Sequence, residues 1–170
     1  FGWRKKFAGR TVLTHNLARL RWEDQKSWVQ AWNVEALTDK FYEDLVKCFE
    51  TIREKTTHPN PEKARDYAQT LLNRLLFIAF IERFEWLKTP EGDSDYLFAL
   101  YNREREQPFL ELLDLLFFSG LDSPNGIGGK DALYPILGEV TYLNGGLFSR
   151  DPDLDRAGVE IPDEVFNVLL

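Results

Sequence analysis

Residues 126–131 contain the glycines and the lysine that a phosphate-binding loop uses, in the order Gly126-Ile127-Gly128-Gly129-Lys130-Asp131. Such a loop needs a glycine five residues before its second glycine, and Ser or Thr after the lysine to bind magnesium. Pro124 and Asp131 stand at those two positions. We therefore interpret this segment as a flexible surface loop.

The run Asp151-Pro152-Asp153-Leu154-Asp155 has the alternating carboxylates of a calcium-binding loop. That loop also needs glycine at its sixth position and glutamate at its twelfth. Arg156 and Pro162 occupy those positions. The pattern therefore predicts a solvated acidic loop rather than a calcium site.

Asp24-Gln25-Lys26 has the Asp-x-Lys form of restriction-type nucleases, in which a carboxylate holds magnesium and a lysine polarises water. Such a site needs a second acidic ligand upstream, and residues 1–22 contain no Asp or Glu. His15 and His58 are far apart, without a further His or Cys at zinc-ligand spacing. No nucleophile, base and oxyanion donor come together in the sequence, so it predicts no catalytic or metal-binding residues.

Charge is distributed unevenly along the 170 residues, whose net charge is −7. Residues 1–30 hold seven Lys or Arg against two Asp or Glu, which leaves +5 there and −12 for residues 31–170. Phe1, Trp3, Phe7 and Trp22 lie among the basic residues, and such a mixture can contact phosphates and stack on bases. Residues 1–32 are thus either a basic arm that contacts DNA or a linker from an upstream domain. The predicted nucleic-acid-binding residues are Arg4, Lys5, Lys6, Arg10, Arg19 and Arg21.

A single cysteine, Cys48, excludes a disulfide within the chain and suggests a reducing compartment, so we expect a cytoplasmic protein. The most apolar window, Leu71 to Ile81, is too short to span a bilayer and is interrupted by Asn73 and Arg74. No membrane partner is expected.

Two long helices are predicted near residues 33–56 and 61–87. Asn33 suits the N-cap of the first, and Asn60 with Pro61 marks the start of the second. Because only a short Thr-His-Pro-Asn link separates them, we expect them to pack antiparallel. The expected facing residues are Phe41, Leu45, Phe49, Leu72, Leu76 and Phe80.

From Leu71 onward the second helix is apolar nearly all the way round, which predicts a central helix covered by others. Asn73 and Arg74 interrupt this run, and buried polar groups need partners. An acidic residue of a neighbouring helix is the expected mate of Arg74; the alternative is an outside ligand.

The remaining chain predicts shorter elements. Helices are expected near residues 95–103, after Pro108 and after Pro162, with a glycine-rich loop at residues 120–131. Residues 134–148 predict two short extended pieces around a tight turn at Asn144, Gly145 and Gly146, since Asn and Gly tolerate positive φ. The predicted fold class is mainly α, a helical bundle with a short β-like turn segment around residues 134–148.

The order of several segments resembles a known family. The segments are Asn33 to Tyr42, Leu71 to Leu87, Leu116-Phe117-Phe118, Tyr142-Leu143-Asn144-Gly145-Gly146-Leu147-Phe148 and Ile161-Pro162-Asp163. Together they resemble the helical region preceding the catalytic domain of bacterial adenine-specific DNA methyltransferases, of the fused type IIG restriction-modification and phage-defence kind. The resemblance covers roughly residues 33–170.

The resemblance implies a non-catalytic helical connector within a longer enzyme. The family's S-adenosylmethionine loop and its Asn-Pro-Pro-Tyr-type tetrapeptide are missing here; Asn60-Pro61 is followed by Glu62. The chain also contains no methionine, so we interpret it as an internal fragment. S-adenosylmethionine is then the cofactor of the parent enzyme, double-stranded DNA its substrate, and adjoining nuclease and methyltransferase domains the partners of residues 33–170. The alternative is an acidic helical protein-interaction module without DNA contact.

Overall fold

A computed structural model describes residues 34–93, 95–103, 107–143 and 145–170, with the backbone alone for residues 34–38. This described part is mainly helical, as the sequence predicts, and contains six α-helices and one two-stranded sheet.

The first two helices form a hairpin, α1 (Val34–Lys55) and α2 (Ala64–Ile81). A 3-10 turn, Pro61–Lys63, leads into α2. The side chain of Asn60 accepts a hydrogen bond from the Glu62 N–H at 3.1 Å, which satisfies one of the donors that a helix leaves open at its start. The predicted start signal and the predicted pair of long helices are confirmed.

The end of α2 differs from the prediction. A 3-10 turn, Glu82–Phe84, follows α2, and Glu85 has a left-handed backbone with φ of 57°. Because such a residue does not continue a helix, the chain turns into a strand, β1 (Leu87–Lys88), where the sequence predicted helix. This strand pairs antiparallel with β2 (Glu139–Val140), with Leu87 opposite Val140.

Four short helices and one π-helix complete the described fold. The π-helix continues directly from α4 and extends into the segment predicted as a glycine-rich loop. The elements are α3 (Tyr96–Arg103), α4 (Phe109–Asp114), the π-helix Leu115–Leu121, α5 (Tyr134–Leu137) and α6 (Asp163–Leu169).

Carboxylates from other elements cap two of the short helices. Glu82 lies after α2, and its Oε1 accepts the Leu97 N–H at the start of α3 at 2.7 Å. Asp163 at the start of α6 accepts the Phe109 N–H at the start of α4 at 3.0 Å. A negative charge at a helix N-terminus is stabilising, so these bonds also fix how the helices lie relative to one another.

The core lies between α2 and the elements that follow it. Its largest fully buried side chains are aromatic, and they come from α3, α4, the π-helix, the turn before Ser149 and α6: Tyr96, Phe109, Phe117, Phe148 and Phe166. One apolar cluster therefore joins the second half of the described chain to the α1–α2 hairpin.

Residues 134–148 do not form two extended pieces around the Asn-Gly-Gly turn. The first part is α5, and the only strand of this segment within the described residues, β2, pairs with β1. The sequence predicted extended structure in this segment, but it did not predict that β2 pairs with β1, which lies far away in sequence.

The predicted helix contact is correct in part. Leu72 is buried, and Leu45, Phe49 and Leu76 are partly buried against the core. The prediction is wrong for Phe80, whose side chain is 57% exposed, and Phe41 is also exposed at 37%. Among the described residues, no element covers the face of α2 that carries Phe80, so the predicted cover on all sides is not found there.

Candidate functional site

Arg74 occupies the centre of a buried polar junction. It lies on α2 and is only 2% exposed. Its Nη1 donates to the Asp155 Oδ1 at 2.6 Å and its Nη2 to the Asp155 Oδ2 at 2.9 Å, a two-pronged ion pair. Its Nε donates to the Leu147 carbonyl at 2.9 Å, and Nη2 also reaches the Ser149 carbonyl at 3.3 Å. The guanidinium thus binds the turn around Leu147 and the loop around Asp155 to α2.

Asp155 comes from the segment predicted to be a solvated acidic loop, and this prediction is wrong for it. Asp155 is 8% exposed, and its carboxylate also accepts the Asp151 N–H at 2.9 Å. The Asp151 carboxylate accepts the N–H groups of Asp153 and Leu154 within the same loop. The alternating carboxylates therefore close a loop and pair with Arg74. The expected mate was an acidic residue of a neighbouring helix; the mate is acidic but belongs to a loop.

Aromatic rings of the π-helix cover the guanidinium. The Arg74 Cζ lies 5.2 Å from the ring centroids of both Phe117 and Phe118. A second guanidinium, that of the exposed Arg150, lies over Phe118 at 4.0 Å and donates to the Asp155 carbonyl. Cations over aromatic faces are attracted to them. We call the group formed by Arg74, Asp155, Phe117, Phe118 and Arg150 the Arg74 junction.

The electrostatics of the Arg74 junction include one perturbed carboxyl. Burial raises the pKa of Asp114, at the end of α4, to about 6, and the negative charge of Asp155 adds to the effect, whereas Arg150 and Arg74 lower this pKa. A carboxyl group that is half-protonated near pH 6 gives this region a pH-dependent charge.

The Arg74 junction holds parts of the protein in place; it does not arrange groups for a reaction. Its guanidinium donates hydrogen bonds to the Asp155 carboxylate and to two backbone carbonyls of the protein itself. These contacts cross-link α2 with the turn before Ser149 and the loop of residues 150–155, under the rings of the π-helix. The alternative prediction, that Arg74 reaches an outside ligand, has no support in these contacts.

The predicted turn lies beside this junction. Asn144 is outside the described residues, whereas Gly145 and Gly146 are exposed, and neither has a positive φ. The Gly145 N–H donates to the Leu143 carbonyl at 2.8 Å, and Phe148 follows as a buried anchor. Phe148 and the Arg74 bond to Leu147 hold this turn, and the predicted structural role of Asn144, Gly145 and Gly146 stays a prediction.

The predicted nucleic-acid-binding residues lie outside the described residues. They are Arg4, Lys5, Lys6, Arg10, Arg19 and Arg21, and with them the predicted Asn33 cap. Contact between this segment and DNA stays a prediction.

His58 has a structural place. It is 6% exposed, its Nε2 lies 3.0 Å from the Leu154 carbonyl, and its Nδ1 lies 3.0 Å from the Asn60 backbone N–H. Its Nδ1 also lies 2.8 Å from the Asn60 carbonyl oxygen, so the ring contacts both backbone polar groups of Asn60 as well as Leu154. His58 therefore ties the link between α1 and α2 to the loop that contains Asp155.

An exposed row of aromatic side chains was missed in the sequence analysis. We call Phe77, Phe80, Phe84 and Trp86 the aromatic stripe; their side chains are 38%, 57%, 54% and 45% exposed. Successive ring centroids lie 6.3, 5.0 and 6.1 Å apart, and Phe77 also contacts the buried Phe148 at 5.8 Å. The signal was the spacing of Phe77, Phe80 and Phe84 by three and four residues, which defines a second apolar face on one helix.

Within the part of the chain that the structure describes, no group of three or more His, Cys, Asp or Glu side chains could hold a metal ion, and no helix is long and apolar enough to cross a membrane. Comparison with models of known protein families, with curated proteins and with solved structures finds no match for this chain.

Proposed function

We propose that this chain is a non-catalytic helical connector of a bacterial adenine-specific DNA methyltransferase, of the fused restriction-modification or phage-defence kind. Its role is to hold an upstream domain, such as a nuclease, at a fixed place relative to the methyltransferase domain. The parent enzyme is cytoplasmic, binds double-stranded DNA, and transfers a methyl group from S-adenosylmethionine to an adenine flipped out of the duplex.

The observation that carries the proposal is the convergence of three of the five segments on which the resemblance rests. Arg74 from the Leu71–Leu87 segment donates to the carbonyl of Leu147, next to the Gly-Gly turn, and lies under Phe117 and Phe118. Arg74 thus meets residues that lie more than 40 positions away in sequence, Phe117, Leu147 and Asp155, at one buried junction.

A rigid unit suits a connector. The Arg74–Asp155 pair is bidentate and buried, and the short helices α3 and α4 are capped by carboxylates of other elements. Buried, satisfied polar networks fix one arrangement of the elements that they join. A domain with this interior keeps its two ends at a constant separation.

The first test is methyl transfer by the longer protein to which this chain belongs. We expect it to incorporate labelled methyl groups from S-adenosylmethionine into adenines of duplex DNA. An intact protein that binds no S-adenosylmethionine and methylates no DNA would contradict the proposal.

The second test concerns the basic arm in that intact enzyme. Replacing Arg4, Lys5, Lys6 and Arg10 with Ala is expected to weaken binding to all DNA sequences alike, and to flatten the log–log salt slope by about 0.9 per lost phosphate contact. Target preference should stay the same because backbone contacts position the protein and do not specify sequence.

The matched control removes the same charge from the body of the domain. Lys55, Arg65, Lys130 and Arg156 are exposed, and their replacement with Ala should leave the salt slope unchanged. If both quadruple variants behave alike, the arm makes no DNA contact and the chain is a linker at this end.

The second candidate function is an acidic protein-interaction module, favoured by the aromatic stripe. Exposed apolar rows of this kind mark interaction surfaces. On this alternative, Phe80→Ser with Phe84→Ser abolishes capture of a partner protein and leaves DNA methylation by the parent enzyme intact. On the connector proposal the partner surfaces are those of the enzyme's own domains.

A further inference from the structure

The aromatic stripe gives α2 two apolar faces. One face is buried in the core through Leu71, Leu75 and Ile78, each at most 3% exposed. The other carries Phe77 and Phe80 and continues through Phe84 and Trp86. Exposed aromatic rings in an unbroken row are rare on a free surface, because each ring is stabilised by removal from water.

The rings are held in place and not splayed at random. Phe77 contacts the fully buried Phe148, so the stripe begins on a side chain anchored in the core. From there each ring leans on the next as far as Trp86. A preorganised surface loses little side-chain freedom when it is covered, which favours binding.

The α1–α2 hairpin places the start of α1 at the same end of the molecule as Phe84 and Trp86. Helix α1 has 22 residues and α2 with its final turn spans residues 64–84, so the two are about 33 and 31 Å long. Residues 1–33 join α1 at Val34, at that end. A segment tethered there has an effective concentration in the millimolar range near the stripe. It therefore competes well against a partner that is free in solution.

Residues 1–33 have the composition to cover the stripe. They contain four of the five tryptophans of the chain and two phenylalanines: Trp3, Trp22, Trp28, Trp32, Phe1 and Phe7. Aromatic side chains gain from edge and offset contacts with other rings beyond their burial.

The distribution of charge also favours residues 1–33 as the segment that covers the stripe. Residues 1–30 carry +5 and the remainder −12. Asp39 and Glu43, on the first turns of α1, are exposed at the end of the hairpin where the tethered segment attaches. Opposite charges on a segment and on the surface near its attachment point raise the rate and the strength of docking.

We propose that the aromatic stripe is the docking surface for residues 1–33 of the same chain, whose Trp and Phe side chains pack on Phe80, Phe84 and Trp86. The inference goes beyond the connector function and does not depend on it. The stripe then sets where the positive charge of this segment lies on an acidic domain.

The test is limited trypsin digestion of the whole chain, since residues 1–30 hold seven Lys or Arg cleavage sites. In the double variant Phe80→Ser, Phe84→Ser we expect these sites to be cut about tenfold faster than in the unchanged protein, as for the loss of two aromatic contacts. The matched control is Val168→Ser on α6, a 60% exposed apolar side chain outside the stripe, which should not alter the rate. Circular dichroism checks that every variant keeps its helices.

A variant of the docking segment itself tests whether faster cleavage comes from lost docking and not from a misfolded domain. Trp28→Ser with Trp32→Ser, next to α1, should speed cleavage at the sites before Trp28 by the same factor. Combining both pairs should add nothing further, because the segment is already released. Independent effects that multiply to about a hundredfold would overturn the proposal.

Two further outcomes would also overturn it. One is equally fast cleavage of residues 1–30 in the unchanged protein and in the stripe variant. The other is a dimer, seen by sedimentation velocity, that the stripe variant converts to a monomer, since the stripe would then be covered by a second copy.

Discussion

Arg74 shows how one side chain can hold distant segments together. It provides a positive charge, which pairs with the Asp155 carboxylate, and a planar fork of N–H groups. These groups donate to that carboxylate and to the carbonyls of Leu147 and Ser149. Lysine could supply the charge but not the fork, so arginine suits this place for a geometric reason. The surrounding rings keep water away from the ion pair and raise the cost of breaking it.

Arg74→Met should destabilise the protein by about 3–5 kcal/mol, because it leaves the buried Asp155 carboxylate unpaired. Urea unfolding followed by circular dichroism measures the loss. The control is Lys40→Met, which removes one partner of an exposed ion pair with Asp44 at 3.6 Å and should cost about 0–1 kcal/mol. Equal losses in the two variants would mean that burial does not strengthen the Arg74 pair.

Asp114→Asn should stabilise the protein at neutral pH. Burial raises the pKa of Asp114 from 3.8 to about 6, so between these values the folded protein holds a proton that the unfolded chain has lost. Stability contributed by Asp114 therefore falls as pH rises from about 4 to about 6 and stays constant above that range. Asparagine avoids this loss. Because Asp114 is only partly buried and solvent screens its charge, the variant should gain on the order of 1 kcal/mol at pH 8.

Urea unfolding of both proteins at pH 4 and pH 8 measures this effect. The gain should shrink towards zero at pH 4, where the unfolded chain also holds the proton. A gain of the same size at both pH values would assign it to something other than ionisation of Asp114.

At the scale of elements, short helices and two-residue strands depend on what surrounds them. An isolated helix of six to eight residues is not stable in water. Here α3 and α4 begin on the carboxylates of Glu82 and Asp163, which belong to other elements. The strands β1 and β2 contribute two residues each and are held by what flanks them.

Gly138 is the glycine on which this small sheet depends. It ends α5 with φ of 72° and ψ of −148°, a backbone that only glycine adopts easily, and a Cβ there would overlap the Lys88 carbonyl oxygen. Gly138→Ala should therefore destabilise the protein by about 3 kcal/mol or more. Thermal or urea unfolding measures it.

Gly145→Ala is the matched control. A Cβ on Gly145 meets no atom within 4 Å, and its φ is not positive. The change should stay within about 1 kcal/mol and can be stabilising, since alanine restricts the unfolded chain. A larger cost for Gly145→Ala than for Gly138→Ala would contradict this assignment.

At the scale of the whole molecule, an acidic domain is joined to a basic, aromatic segment. The −12 of residues 31–170 repels a duplex, so residues 1–170 alone should bind DNA poorly at physiological salt. On the proposed function, a catalytic domain elsewhere in the enzyme holds the duplex and allows the basic arm to contact it.

Purified residues 1–170 should not bind S-adenosylmethionine measurably. The glycine-bearing cofactor loop of the family that the chain resembles does not occur in the sequence. Isothermal titration calorimetry with S-adenosylmethionine checks this. A stoichiometric site of micromolar affinity would contradict the interpretation that the chain precedes the catalytic domain.

The sequence by itself determined the α1–α2 hairpin and the mainly helical fold. Hydrophobic periodicity, the Asn60-Pro61 start signal and a short link are local, so their physical consequences are readable in order along the chain. The need of Arg74 for an acidic partner was also predictable, because a buried charge must be paired.

Only the tertiary structure decided which partners meet. Asp155 lies 81 residues after Arg74, and its neighbours in sequence suggested a solvated loop. β1 pairs with a strand some fifty residues away, and no local pattern encodes that choice. The same holds for α2: its apolar residues predicted coverage on every side, but packing buries one face and leaves the aromatic stripe exposed. Burial depends on which elements come to lie against a face, and sequence periodicity does not specify those elements.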